Sequence, residues 1–97
     1  MPKGYWIARV DVHNAEAYKN YAAANGAAFA KFGGRFLVRG GAFDAPVGQP
    51  RQRNVVIEFP SLQHALDCYH SEGYQAAAEF RRQAATGEIV VVEGANA

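Results

Sequence analysis

Arg39 and Glu58 each stand inside an apolar, strand-like run, Arg35-Phe-Leu-Val-Arg39 and Asn54-Val-Val-Ile-Glu58-Phe59. A charge among Val, Ile, Leu and Phe needs a counter-charge, water in a cleft or a ligand, because desolvating an unpaired ion is expensive. Arg9 and Asn54 belong to neighbouring strands of the expected sheet, so the four side chains could converge. Two guanidiniums bind a carboxylate or enolate bidentately, and a glutamate in a dry site has a raised pKa and serves as a general base. On this reading Glu58 is the base, Arg39 the oxyanion stabiliser, and Arg9 and Asn54 hold the ligand. The chemistry would be proton abstraction or cofactor-independent oxidation. The competing role for the same charges is a buried Arg–Glu ion pair that braces the sheet or a dimer. Strand parity leaves open which face each residue occupies.

Other residues widen the list. Tyr5, Trp6, Tyr69 and Tyr74 are aromatic walls with polar tips, suited to a planar organic molecule and equally to core and interface packing. His64 and Cys68 are spaced i, i+4 on one helical face, which supplies two metal ligands and no more; His70 falls elsewhere, so no metal site is expected. A single axial histidine, His70 or His64, suffices for haem, while both suit a solvent face equally well. Cys68 with His64 one turn away is also the minimal pairing for a thiol nucleophile. Arg81 and Arg82 end a helix, where cations complement its dipole. Gly40, Gly41 and Gly48 lack the Lys and Ser or Thr of a phosphate loop.

The composition narrows the classes. The 97 residues, taken as one domain over 1–97, are 49% hydrophobic and 20% charged, as in ordinary globular proteins. The net charge is +1 with Lys and Arg scattered, which leaves no electrostatic footprint for nucleic acid or an anionic membrane. A lone cysteine precludes an internal disulfide and fits the cytoplasm, as does a start without a signal-peptide core. No apolar run is long enough to span a bilayer.

The elements that must position these residues follow from periodicity. Tyr5–Val12 alternates, with Trp6, Ala8, Val10 and Val12 opposite Tyr5, Ile7, Arg9 and Asp11. Asn14 caps an Ala-rich helix over 15–32 with Ala17, Tyr21, Ala24 and Ala28 on its inner stripe, and Gly33-Gly34 ends it. Arg35–Arg39 is a second strand. Residues 40–52, with three glycines and two prolines, are a hairpin connection or a lid. Asn54–Phe59 is a third strand, Pro60-Ser61 a stop and cap, and Ser61–His70 a second helix that breaks at 71–74 and resumes over Gln75–Ala85. Thr86-Gly87 closes the helical region, and Glu88–Glu93 is a fourth strand.

The order β-α-β-β-α-β predicts a ferredoxin-like α+β plait: a four-stranded antiparallel sheet with two helices on one face and the first and third strands central. Val55, Ile57 and Phe59 oppose Val56, and Ile89 and Val91 oppose Val90 and Val92, so both sheet faces are apolar. The helices cover one. The other should meet a second sheet, which predicts a homodimer packed sheet to sheet.

The segments Gly4-Tyr-Trp-Ile-Ala-Arg-Val-Asp-Val12, Lys31-Phe-Gly-Gly-Arg-Phe-Leu-Val-Arg-Gly-Gly41, Asn54-Val-Val-Ile-Glu-Phe-Pro-Ser61 and Cys68-Tyr-His-Ser-Glu-Gly-Tyr74 together resemble domain-of-unknown-function family 1330, within the dimeric α+β barrel superfamily. The resemblance spans Lys3 to Gly94. It implies a ferredoxin-like protomer whose sheet meets that of a twofold mate, and it assigns no reaction or catalytic residue. Similar barrels serve as cofactor-independent monooxygenases, haem-degrading enzymes, lactone isomerases and stress-responsive proteins, so fold analogy leaves function open. The function expected is binding of a small anionic or aromatic organic molecule, with no cofactor required. A non-catalytic structural or stress-related homodimer and a haem-binding protein are the alternatives.

Overall fold

The computed structural model describes residues 2–96. Its elements are β1 (Gly4–Val12), α1 (Ala15–Lys31), β2 (Arg35–Arg39), β3 (Arg53–Phe59), α2 (Leu62–His70), α3 (Glu72–Ala84) and β4 (Ala85–Glu93). The strands form one antiparallel sheet in the order β2-β3-β1-β4, with β1 and β3 central as the crossover rule requires. All three helices lie against one face. None is long and apolar enough to cross a membrane.

Local chemistry sets the helix boundaries. The Asn14 side chain accepts from Ala17 N at 3.1 Å, and Ser61 Oγ accepts from His64 N at 3.1 Å, each satisfying a free first-turn donor. Ser71 splits the second helical region in two, because its extended backbone (φ −70°, ψ 150°) ends α2 and caps α3. Its hydroxyl donates to Cys68 O at 2.7 Å and accepts from Tyr74 N at 3.2 Å. The plait therefore carries three helices rather than two, and the third begins at Glu72 rather than Gln75.

Two further boundaries differ from the periodic reading. Thr86-Gly87 is a piece of β4, paired with Asp11 and Val10 of β1, rather than a closing turn. Gly87 is there because a Cβ would overlap the Arg9 carbonyl, so the residue marks a close approach of two strands. On α1 the inner stripe is Tyr18, Tyr21, Asn25, Ala28 and Phe29, while Ala24 faces outward. The aromatic rings outweigh alanine in deciding which face is buried.

Trp6 is the centre of the core. Its ring meets Phe29 of α1 and Tyr74 of α3 edge-on at 5.1 and 4.8 Å, and its Nε1 donates to Ala65 O of α2 at 2.9 Å. Ile57, Phe59, Cys68, Ala77 and Ala78 close around it. Because one hydroxyl serves both helix ends at Ser71, Ser71→Ala should cost about 1 to 2 kcal/mol, read as a lower midpoint in urea unfolding with an unchanged slope.

Candidate functional site

Between the sheet and the helices α1 and α3 the core does not close, leaving a cavity of about 40 Å³ beside Trp6. Its apolar wall comes from Ala8, Phe29, Phe36, Val55, Ile57 and Ile89. The polar wall is unusual for such a space: Tyr18, Tyr21 and Asn25 from α1, Arg39 and Arg53 from β2 and β3, and Arg81 from α3. None of its lining residues is Asp, Glu or His.

Of the seven arginines, four are ion-paired outside the cavity: Arg9 to Glu88, Arg35 to Glu58, Arg51 to both Asp11 and Glu88, and Arg82 to Glu79. The three that line the cavity have no carboxylate partner among the described residues. They are held by other means. The Arg39 guanidinium stacks 4.2 Å from the Phe36 ring centroid, and Arg53 lies 5.7 Å from that of Tyr18. Arg81 Nε donates to Tyr74 Oη at 3.2 Å, and Tyr74 Oη shares a 2.9 Å hydrogen bond with Tyr21 Oη. Burial acts to lower the Arg81 pKa, but the neighbouring Tyr74, Tyr21 and Tyr69 together outweigh it and leave the guanidinium above its usual range. Burial raises the Tyr21 and Tyr74 phenols, so both stay protonated at neutral pH and supply hydrogen bonds rather than a base.

A β-bulge decides the position of Arg39. Phe36 pairs with Ile57 and Val38 with Val56, so the register slips at Leu37 and Arg39 comes opposite Val55. The extra residue turns Arg39 to the helix side, with Phe36, where strict alternation would send it to the other face. Gly40 completes the arrangement. Its φ of 70° is a left-handed conformation, and a Cβ there would overlap the Arg53 guanidinium.

The four residues expected to converge are thereby separated. Arg39 lines the cavity, whereas Arg9, Asn54 and Glu58 lie on the helix-free face, in register with Tyr5, Glu88 and Arg35. Glu58 accepts from Arg35 Nη2 and from Tyr5 Oη, both at 3.2 Å, so its partners are structural and it has no access to the arginine cavity. Arg9 donates to Gln49 O at 2.6 Å, pinning the 40–52 connection. Among the aromatic candidates Trp6 lines the cavity, and Tyr74 backs it through Tyr21 and Arg81. Tyr69 lines a wider crevice of about 320 Å³ that shares Val10, Arg81 and Ile89 with the cavity.

The histidines and the cysteine stand apart. His64 and His70 are exposed and line neither space; His64 Nδ1 bonds Ser61 Oγ at 2.7 Å, and His70 packs edge-on against Tyr69. The residues present do not fit haem, since no histidine faces the cavity. Among the described residues no three His, Cys, Asp or Glu side chains group as metal ligands. Cys68 is fully buried, its Sγ 3.7 Å from Ala28 O, and has no base beside it.

Arg53, Arg81, Tyr18, Tyr21 and Asn25 were not singled out as site residues by the sequence reading, although a signal for three of them exists. Arg53 shares parity with Val55, Ile57 and Phe59, all buried. Arg81 continues the stripe Tyr74, Ala77, Ala78, Ala84 of α3, and Asn25 the stripe of α1. Polar residues at core positions of three separate elements are the trace of the cavity.

The chain belongs to the family described as "Domain of unknown function (DUF1330)", whose model matches residues 3–95. No curated protein matches its sequence. Among solved structures, the RPA0582 protein of unknown function from Rhodopseudomonas palustris is 17% identical, with a TM-score of 0.81 over 99% of this chain and 85% of that one. The methylated RPA0582 protein gives 17% identity and a TM-score of 0.79 over 98% and 82% of the two chains. SnoaB, a cofactor-independent oxygenase from Streptomyces nogalater, is 15% identical, with a TM-score of 0.65 over 100% of this chain and 97% of that one. At these identities the likeness is one of fold.

Burial pushes the Cys68 thiol up to about 12 from an ordinary 9.0, and it raises the Tyr21 and Tyr74 phenols from 10.0. These groups stay neutral in the fold where the unfolded chain ionises, so the stability they contribute is complete below their unfolded values and is lost as pH rises through the folded ones. The melting temperature should hold from about pH 7 to about pH 9 and then fall steadily, and Cys68 should ignore thiol reagents until denaturant is added. Rapid labelling of the native thiol would restore Cys68 as a nucleophile.

Proposed function

We propose that this protein binds a small organic anion, a carboxylate or enolate on an apolar or aromatic body, in the cavity between the sheet and α1 and α3. The observation that carries this reading is the division of the arginines: every one outside the cavity has a carboxylate partner, and the three that line it have none among the described residues. Three like charges around one small space repel one another, and an anion there offsets that repulsion with charge-assisted hydrogen bonds. The aromatic and aliphatic wall receives the rest of the ligand. At about 40 Å³ the cavity takes the anionic head and a few further atoms, and an aromatic or larger body extends into the adjoining crevice.

If the bound molecule reacts, the arginines are the oxyanion stabilisers and the substrate arrives ionised, because no carboxylate or imidazole lines the cavity to deprotonate it. An enolate or phenolate held in this way is electron-rich. That is the form suited to cofactor-independent oxygenation, the activity in the description of SnoaB, whose fold this chain shares.

The helix-free face supports a second part of the proposal. Val38, Val56, Ile7 and Val90 stand side by side across all four strands, with Val92 beside them, an apolar row that three helices on the opposite face cannot cover. We infer that a second copy covers it, sheet on sheet. Sedimentation should give twice the protomer mass, and Ile7→Glu, which places a charge in the centre of the row, should give a folded monomer or weaken association by several orders of magnitude. A monomeric wild type at about 100 μM would end this assignment.

Trp6 is the only tryptophan and lines the cavity, so its fluorescence reports occupancy. Titration with small carboxylates from acetate to benzoate should perturb it, while the matching neutral amides should not. Arg39→Ala and Arg53→Ala should each weaken binding by about 10- to 150-fold, from the roughly 1.5 to 3 kcal/mol of a hydrogen bond to a charged group. Arg9→Ala and Arg35→Ala should leave affinity unchanged. A panel in which no acid binds, or in which Arg35→Ala is as damaging as Arg53→Ala, would remove the basis of the proposal.

A further inference from the structure

Two polar atoms of the cavity wall have no partner among the described residues. Asn25 Oδ1, an acceptor on α1, and Arg53 Nε, a donor on β3, are both shut off from solvent and unbonded. Asn25 is 6% exposed, in the middle of the inner stripe of α1 where an apolar side chain would otherwise pack. A buried acceptor left unmade costs the full desolvation of that atom, so such atoms in folded proteins face a water or a ligand.

The neighbours show what is missing. Tyr21, Tyr74 and Arg81 bond to one another, and Arg39 rests on the Phe36 ring. The cavity therefore presents cations and donors that want an acceptor, together with one carbonyl oxygen that wants a donor. A plain carboxylate answers the first need and leaves the second unmet.

We propose that the ligand is a hydroxy acid: its carboxylate meets the Arg53 guanidinium and its hydroxyl donates to Asn25 Oδ1. This rests on the reading of the cavity as an organic-anion site and adds the second functional group that the ligand must carry. Asn25 is then the residue that sets specificity. Sites that bond a ligand hydroxyl discriminate strongly against the analogue without it, because their own polar atom is stranded.

Calorimetric titration of the wild-type protein with matched pairs decides the matter: lactate against propionate, and 3- and 4-hydroxybenzoate against the corresponding fluorobenzoates, which are close in size and have no donor. At least one hydroxy acid should bind about tenfold or more tighter than its partner. Asn25→Ala, which removes the carbonyl without adding bulk, should shrink that preference to within about twofold. Equal affinity within every pair for the wild type would overturn the hydroxyl assignment, leaving Asn25 with a water, and would leave the anion site standing. Failure of every acid to bind would overturn both. The wild-type comparison decides even where Asn25→Ala does not fold.

Discussion

Everything in this fold is hung on the indole of Trp6. One ring from the central strand β1 packs against Phe29 of α1, Phe59 of β3, Tyr69 of α2 and Tyr74 of α3, and its N–H fixes the backbone of α2 at Ala65. A side chain of that size sets the separation between the helical layer and the sheet. The next inward positions on β1 are Ala8 and Val10, and α1 presents Ala22 opposite them. Small residues at a spacing set by a large one leave a gap that the core does not close. The cavity follows from the alternation of large and small along one strand, and a bulky residue at position 8 would abolish it.

What lines that gap explains why it is retained. Three guanidiniums without a carboxylate partner among the described residues, Arg39 exposed and Arg53 and Arg81 half-buried, repel one another, and the Phe36 and Tyr18 rings and the Tyr74 hydroxyl ease that repulsion. None of these contacts neutralises charge. Of the chain's nine acidic residues, Asp11, Glu58, Glu79 and Glu88 pair with arginines, and all of those arginines lie outside the cavity. A carboxylate on Val55 or Ala8 would relieve the repulsion and also occupy the space. Stability given up locally in this way is characteristic of a site shaped for something that the chain itself does not provide.

The sequence carried the architecture legibly because the relevant signals are periodic. The alternation in β1, β3 and β4 separates the two faces correctly, and Asn14, Ser61 and Gly33 mark helix boundaries. The site was harder for two reasons. Arg39 reaches the cavity only through the bulge at Leu37, a one-residue slip that no alternation rule anticipates. Glu58 drew notice as a charge in an apolar run, but it shares parity with Asn54 and Val56 and so faces away from the helices. The informative question was which polar residues share parity with the core. Arg53, Arg81 and Asn25 answer it from β3, α3 and α1, and a burial pattern read from sequence alone could have found them.

The two faces of the sheet are joined mechanically by the 40–52 connection. At one end Gly40 donates to Asn54 O at 2.9 Å and makes room for the Arg53 guanidinium of the cavity. At the other, Asp11 accepts from Gln52 N at 2.9 Å and from Arg51 at 2.8 Å, and Arg51 also reaches Glu88 on the opposite face. The backbone donor and the guanidinium together hold the Asp11 carboxyl below its usual range, so this anchor keeps its charge at neutral pH. β3 leaves that anchor with Arg53 turned inward and Asn54 turned outward. The Arg9, Asp11 and Glu88 end of the helix-free face is thus two residues along the chain from the guanidinium that lines the cavity. Arg51-Gln52-Arg53 is therefore the stretch through which the helix-free face and the cavity are tied together.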